Sequence, residues 1–310
     1  MIEIFRSPNY NFIGRRRIAY ALSILTLLAG LGSLGIRGLR YDIDFTGGTL
    51  VQMRFEQRPE IAQIRSALSA QGFGDSIIQE FGDPREYIVR LPLSKASSQE
   101  VAKKIEQALA AAPQLGKTEI RRVEFVGPQV GRELQLQAIY AVLFGLIGIL
   151  VYLAARFDFK GGVAAIAAVF HDVIVCLGLL SIFGKEFSLP VLAALLTIIG
   201  FSVNDTIVAY DRLRENRGRG SQRGRTFADQ MNDAVNQTLS RTVLTSLTVF
   251  FSTAILLFLG GKTLEDFAFV LFVGVITGTY STIYVAGSLV VDWTIYVEGR
   301  RRGKKAVARA

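Results

Sequence analysis

The chain has a single cysteine and a single histidine. Cys176 therefore has no partner for an internal disulfide, and one histidine excludes a His-rich metal centre. No metal or other cofactor is expected. Acidic charge is scarce: 26 Asp and Glu face 35 Lys and Arg, for a net charge of +9, and charged residues make up only 20% of the chain. No glycine-rich phosphate loop with its lysine is present, so any nucleotide work must come from a partner. Bond-breaking enzyme chemistry is not expected.

What fills the sequence is oil. Half of the 310 residues are hydrophobic and mean hydropathy is +0.36. The apolar residues fall in six blocks, roughly Ile18–Ile36, Ala138–Ala155, Gly161–Phe183, Leu189–Tyr210, Thr242–Leu259 and Phe267–Val291. Each approaches the ~20 residues a helix needs to cross ~30 Å of hydrocarbon. The first block is too long for a cleaved signal peptide and runs into glycine-rich sequence rather than a small-residue cleavage site. Threading six spans with the N-terminus inside puts 18 Lys and Arg in the inner segments, from Arg6, Arg15, Arg16 and Arg17 to the basic end at Arg300–Arg309, and only Lys185 and Lys262 in the two short outer loops. That asymmetry orients both termini toward the cytoplasm. It also accounts for "RENRGRGSQRGRT" without nucleic acid.

One long polar segment interrupts the spans. "TLVQMRF" alternates, with Val51, Met53 and Phe55 on one face and Gln52 and Arg54 on the other, which is strand periodicity. Glu60–Gln71 reads as a helix carrying Ile61, Ile64 and Leu68 on one side. "SIIQEF" and "EYIVRL" read as strands joined by a turn at Gly82-Asp83-Pro84. Ser97–Ala112 is a second helix capped by Ser97 or Ser98, and "TEIRRVEFV" is a last strand. Strand–helix–strand–strand–helix–strand is the ferredoxin-like order. The expected fold is an α-helical integral membrane protein of six transmembrane helices with a small extracytoplasmic α+β domain between the first two. Residues 1–39 hold the N-terminus and first span, 40–134 the outer domain, 135–298 a five-helix bundle with an Arg-rich cytoplasmic loop at 211–240, and 299–310 a basic tail. Within that loop, "TFADQMNDAVNQTLS" reads as a short surface helix.

Few ionisable residues fall inside the spans: His171 and Asp172 in the third, Asp205 in the fourth, Arg241 at the mouth of the fifth. A charge at mid-bilayer costs roughly 2.5–3.5 kcal/mol on the lenient scale, so these groups face protein or water. Thr197, Ser202 and Arg212 share the helical face of Asp205, while Thr238, Arg241, Thr242, Thr245 and Ser252 stripe the fifth span. The two stripes are expected to face each other, with Asp205 and Arg241 at similar depth as an ion pair made and broken in turn. A carboxylate parted from its guanidinium in an apolar surround takes up a proton, and one rejoined to it releases the proton. The same pair also reads as a static pin between two helices. Asp172 reads as a structural or loading residue, and His171 as either a relay or a satisfied packing residue. Gly274 and Gly278 in "GVITG" have the spacing of close helix approach. Gly47 and Gly48 suit either a tight turn or a hinge.

Several stretches together resemble the SecF family, membrane subunits of the bacterial SecD–SecF protein-export factor, related to the resistance-nodulation-division transporters. They are "YDIDFTGGT" (Tyr41–Thr49), "VEFVGPQVGREL" (Val123–Leu134), "FHDV" (Phe170–Val173), "GFSVNDTIVAYDRLREN" (Gly200–Asn216) and "NQTLSRTVLTSLT" (Asn236–Thr248). The resemblance implies a multi-pass inner-membrane protein that works with SecD beside the SecYEG channel and uses the proton-motive force to help draw preproteins outward. It places proton conduction on Asp205 and Arg241, with a further Asp supplied by SecD. The alternative is a passive subunit that stabilises SecD and the channel without carrying ions. A small-molecule exporter of the same superfamily fits less well, because such exporters carry much larger paired outer domains.

Overall fold

The computed structural model describes Phe5 and residues 8–92, 98–218 and 224–307. Arg6, Ser97, Arg219, Arg223 and Arg309, used above, lie outside them. In chain order the elements are α1 (Arg16–Arg37), β1 (Arg40–Tyr41), α2 (Ile43–Thr46), β2 (Gly48–Phe55), α3 (Ile61–Ser69), β3 (Ile77–Phe81), β4 (Asp83–Leu91), α4 (Ser98–Ala110), β5 (Thr118–Val126), α5 (Pro128–Arg156), α6 (Phe159–Ile182), β6 (Glu186–Phe187), α7 (Leu189–Gly218), α8 (Phe227–Leu259), α9 (Lys262–Ser281) and α10 (Gly287–Val307). A π turn, Thr282–Ala286, joins α9 to α10. Six helical stretches are long and apolar enough to cross a membrane, the last running Lys262–Arg300 through that turn.

The Arg-rich stretch differs from its sequence reading. Residues 211–218 continue α7, and "TFADQMNDAVNQTLS" is no separate surface helix, because from Phe227 it is the first half of α8. Thr226 starts α8 with a reciprocal cap: its Oγ1 accepts from Asp229 N at 3.2 Å, and Asp229 Oδ2 accepts from Thr226 N at 3.3 Å. Charge density made these residues look like loop. Nothing in 211–217 or 227–240 breaks a helix, and α7 and α8 simply run on past their apolar halves. The basic end behaves likewise, since α10 stays helical to Val307.

In the small domain the strand order is β3-β4-β2-β5 with every neighbouring pair antiparallel. Val51, Met53 and Phe55 of the central strand point into a core closed by Ile64 and Leu68 of α3 and Ile105 and Leu109 of α4. Gly47 and Gly48 form a tight turn between α2 and β2, both at positive φ (69° and 138°), and a Cβ on Gly48 would meet Leu91 O at 2.5 Å.

Polar contacts fasten this domain to the bundle. Arg90 of β4 grips Glu186 with both guanidinium nitrogens and reaches Asp42 at 3.3 Å. Asp44 Oδ2 accepts from Leu189 N at the start of α7, and β1 pairs in parallel with β6. Burial pushes the Glu186 carboxyl above its usual range, against the pull of Arg90.

Within the bundle, α6, α7 and the α9–α10 helix are mostly buried, whereas α1, α5 and α8 expose most of their length. Glycine sets the closest approach: a Cβ on Gly178 of α6 would lie 2.4 Å from the Gly30 Cα of α1. Gly178→Ala is expected to push α1 off α6 at a cost of about 1–3 kcal/mol. Thermal unfolding of the purified protein measures this, with Gly32→Ala, which meets nothing within 4 Å, as the neutral comparison.

Candidate functional site

Asp205 lies 13 residues before the end of α7 at Gly218, and Arg241 lies 14 residues after the start of α8 at Phe227. The two helices are consecutive and pack together, so at ~1.5 Å per residue both residues sit about 20 Å from the connecting turn. They are level but not joined. Arg241 is near enough to act on the charge of Asp205, yet no nitrogen–oxygen distance between them falls within 4.0 Å. Asp205 is 3% exposed, and its Oδ2 is buried without a hydrogen-bond partner among the described residues. Unpartnered buried oxygens are rare because each costs about 1–3 kcal/mol.

Arg241 is exposed and lines a cavity of about 950 Å³ together with Arg156, Asn204, Asp211, Arg212 and Gln237. Asp205 does not line it, but its neighbour Asn204 does. Two of the other cations there are held in ion pairs: Arg156 binds Asp211 at 2.6 Å and Arg212 binds Glu215 at 2.7 Å.

The second acid is the hub of a closed network. Asp172, 1% exposed, accepts from Ser202 Oγ of α7 and Ser281 Oγ of α9, both at 2.6 Å, through Oδ2. Its Oδ1 meets His171 Nδ1 at 3.1 Å. His171 stacks on Tyr280 with ring centres 6.0 Å apart, and its Nε2 is buried and unpartnered. One turn along, Thr206 Oγ1 meets Thr282 Oγ1 of the π turn at 3.1 Å. The polar seam therefore joins α6, α7 and the last span.

This differs from two stripes meeting between α7 and α8. Ser202 belongs to the seam, but Thr197 is exposed and bonds back to Ala193 O at 2.8 Å. On α8, Thr242 and Ser246 are buried, with Ser246 meeting Thr279 of α9 at 2.8 Å. Arg241, Thr245, Thr248 and Ser252 instead form an outward stripe. Helical period placed residues on faces without telling which neighbour covers each face. Gly274 and Gly278 decide it by admitting α7: a Cβ on Gly274 would strike Ile198 at 2.3 Å, and one on Gly278 would come within 3.3 Å of Ser202 Cβ. Sequence reading missed Ser281 and Thr282. The clustering of hydroxyls in "TGTYST" inside an apolar span was the available signal.

Six helices long and apolar enough to cross a membrane, with a buried acid-and-hydroxyl seam and a small α+β domain after the first, define a polytopic membrane protein. The sequence model of the protein export membrane protein SecD/SecF C-terminal family matches residues 104–295, and that of the SecD/SecF GG motif matches residues 32–57. The chain is 47% identical to a Protein translocase subunit SecF from Desulfurispirillum indicum, over 91% of each chain. It is 41% identical to the subunit of the same name from Pseudomonas aeruginosa, over 91% of this chain and 90% of that one. The crystal structure of SecDF, a translocon-associated membrane protein from Thermus thermophilus, matches with a TM-score of 0.82 and 44% identity, covering 93% of this chain and 39% of that one. SecDF in a super-membrane-facing form matches at 0.71 and 42%, covering 100% and 41%. The chain belongs to the SecD/SecF family of protein export membrane proteins, and it spans about two fifths of the longer SecDF chains.

Proposed function

We propose that this chain is the SecF-type half of a SecD–SecF pair in a bacterial inner membrane, using the proton-motive force to assist late steps of preprotein export through SecYEG. The observation that carries this reading is Asp205: a carboxyl sunk between helices, with one oxygen unpartnered, level with Arg241 but not joined to it. A purely static pin has no reason to leave both groups unpaired. Apart, they correspond to the proton-holding half of a cycle; closing the gap would release the proton. Each elementary charge falling through 100 mV supplies about 2.3 kcal/mol, enough to bias a conformational equilibrium strongly.

SecD as partner is supported by the fused SecDF chains, whose remaining length exceeds the part matched here. The outward stripe on α8 is a suitable surface for it, since a guanidinium at membrane depth needs protein or water around it. In this reading the small domain, ferredoxin-like in strand order, lies on the extracytoplasmic side, Gly47 and Gly48 serve as its joint, and the Arg-rich end with both termini faces the cytoplasm. Asp172 and His171 hold the seam together while Asp205 exchanges the ion.

The test is ion flux through the chain reconstituted with SecD in vesicles, driven by a proton gradient and, separately, by a sodium gradient. Arg241→Gln is expected to lower the proton-driven flux at least about tenfold, equivalent to 1.4 kcal/mol. Undiminished flux in a fully assembled complex would overturn the reading in favour of passive assembly.

A further inference from the structure

Phe5 and residues 10–13, ahead of α1, are laced along the first half of α8. Asn236 Oδ1 accepts from Tyr10 N at 2.8 Å, and Asn236 Nδ2 donates to Tyr10 O at 2.8 Å, so one side-chain amide satisfies both backbone groups of Tyr10. Asn232 Oδ1 accepts from Phe12 N at 2.9 Å and Ile13 N at 3.2 Å, while its Nδ2 donates to Tyr10 O at 3.0 Å. Ser240 Oγ accepts from Phe5 N at 3.2 Å. Asn232, Asn236 and Ser240 recur every fourth residue, which aligns them on one helical face. All three read backbone rather than side chain. The segment is also pinned from the other side: Ile13, 2% exposed, packs in the core with Met231, Phe12 meets Tyr284 of the π turn edge-on at 6.2 Å, and Arg16 pairs with Asp292 of α10 at 2.9 Å.

The ladder ends one residue before Arg241. We propose that Phe5 and residues 8–13 form an intramolecular strap that ties the first half of α8 to the π turn before α10, and that Asn232, Asn236 and Ser240 are positioning residues which set the place of Arg241 relative to Asp205. This rests on the relay reading above. The strap explains three features at once. Without a strap, α8 touches its bundle mainly along its buried side; the ladder supplies the missing lateral tie. Asn236, 5% exposed, is a buried amide whose hydrogen bonds all go to backbone. The first half of α8, polar in sequence, stays ordered because its polar face has a fixed occupant.

The test uses the full chain reconstituted with SecD. Asn236→Ala removes the ladder's central rung, and Tyr10→Pro removes the backbone N–H that this rung accepts. Amide exchange at Phe12 and Ile13 is expected to rise about fivefold or more in both variants. With Cys176, which is fully buried, replaced by Ala, spin labels at Glu215 on α7 and Leu247 on α8 report the spacing of the two helices. Their distance distribution broadens in Asn236→Ala, and flux per assembled complex falls several-fold. Both variants act on the Tyr10–Asn236 contact, so their effects are less than additive in the double variant. Unchanged exchange would overturn the strap. Raised exchange with unchanged label distances and flux would overturn its positioning role. Flux that survives Arg241→Gln would instead overturn the relay reading, a separate outcome.

Discussion

Asp205→Asn is expected to abolish ion flux and motive-force-dependent export while leaving the chain folded and bound to SecD. The expectation has two halves, and the second makes it sharp. Among the described residues the Asp205 Oδ2 has no hydrogen-bond partner and no cation within salt-bridge reach. A group held this way costs about 1–3 kcal/mol, so an uncharged isostere is no worse and removes a buried charge. Thermal stability should therefore hold or rise while transport is lost. If Asp205 were a pin between helices, the same change would lower stability and leave transport intact in whatever complex survived. Measuring both on one preparation separates a working group from a structural one, and a destabilised but transporting variant would defeat the motor interpretation.

Asp172→Ala is expected to have the opposite profile and the largest effect on stability. Three neighbours on three helices converge on this carboxylate: His171, Ser202 and Ser281. Truncation leaves two buried hydroxyls without their acceptor and His171 Nδ1 without its partner, at a cost of about 3–5 kcal/mol by analogy with breaking a buried charged pair. The seam between α6, α7 and α9 should open and the protein should lose its cooperative thermal transition or accumulate poorly. Asp172→Asn retains an oxygen for Ser202 and Ser281 and offers an N–H to His171 Nδ1, so it should keep near-normal stability and flux. Loss of flux in a stable Asp172→Asn protein would reassign Asp172 from hub to carrier.

The two acids illustrate how much of this site is legible in sequence. Both stood out, because an ionisable residue in an apolar block is visible without any structure. Their roles did not follow from that. Asp172 is fully engaged and Asp205 is not, and nothing within ten residues of either announces the difference. The acceptor pattern at Asp172 depends on Ser281, more than a hundred residues away, and on a π turn whose irregular backbone hydropathy cannot register. The level placement of Asp205 and Arg241 was read from a supposed loop at 211–240. In the structure the two residues stand 13 and 14 residues from the connected ends of α7 and α8, because α8 overruns its apolar block by about twice as far as α7 does.

The sequence by itself determined the six apolar helices, the alternating strands and the places where charge enters the bundle. These are local properties: hydropathy needs only a window, and period needs only a few turns. Tertiary structure alone decided which faces meet. Thr197 and Thr245 look outward and Ser281 looks inward because Gly274 and Gly278 let α9 lie against α7 where larger side chains would hold it off. The strap on α8 was equally invisible, because its bonds run from side-chain amides to a distant backbone, and backbone carries no sequence signal.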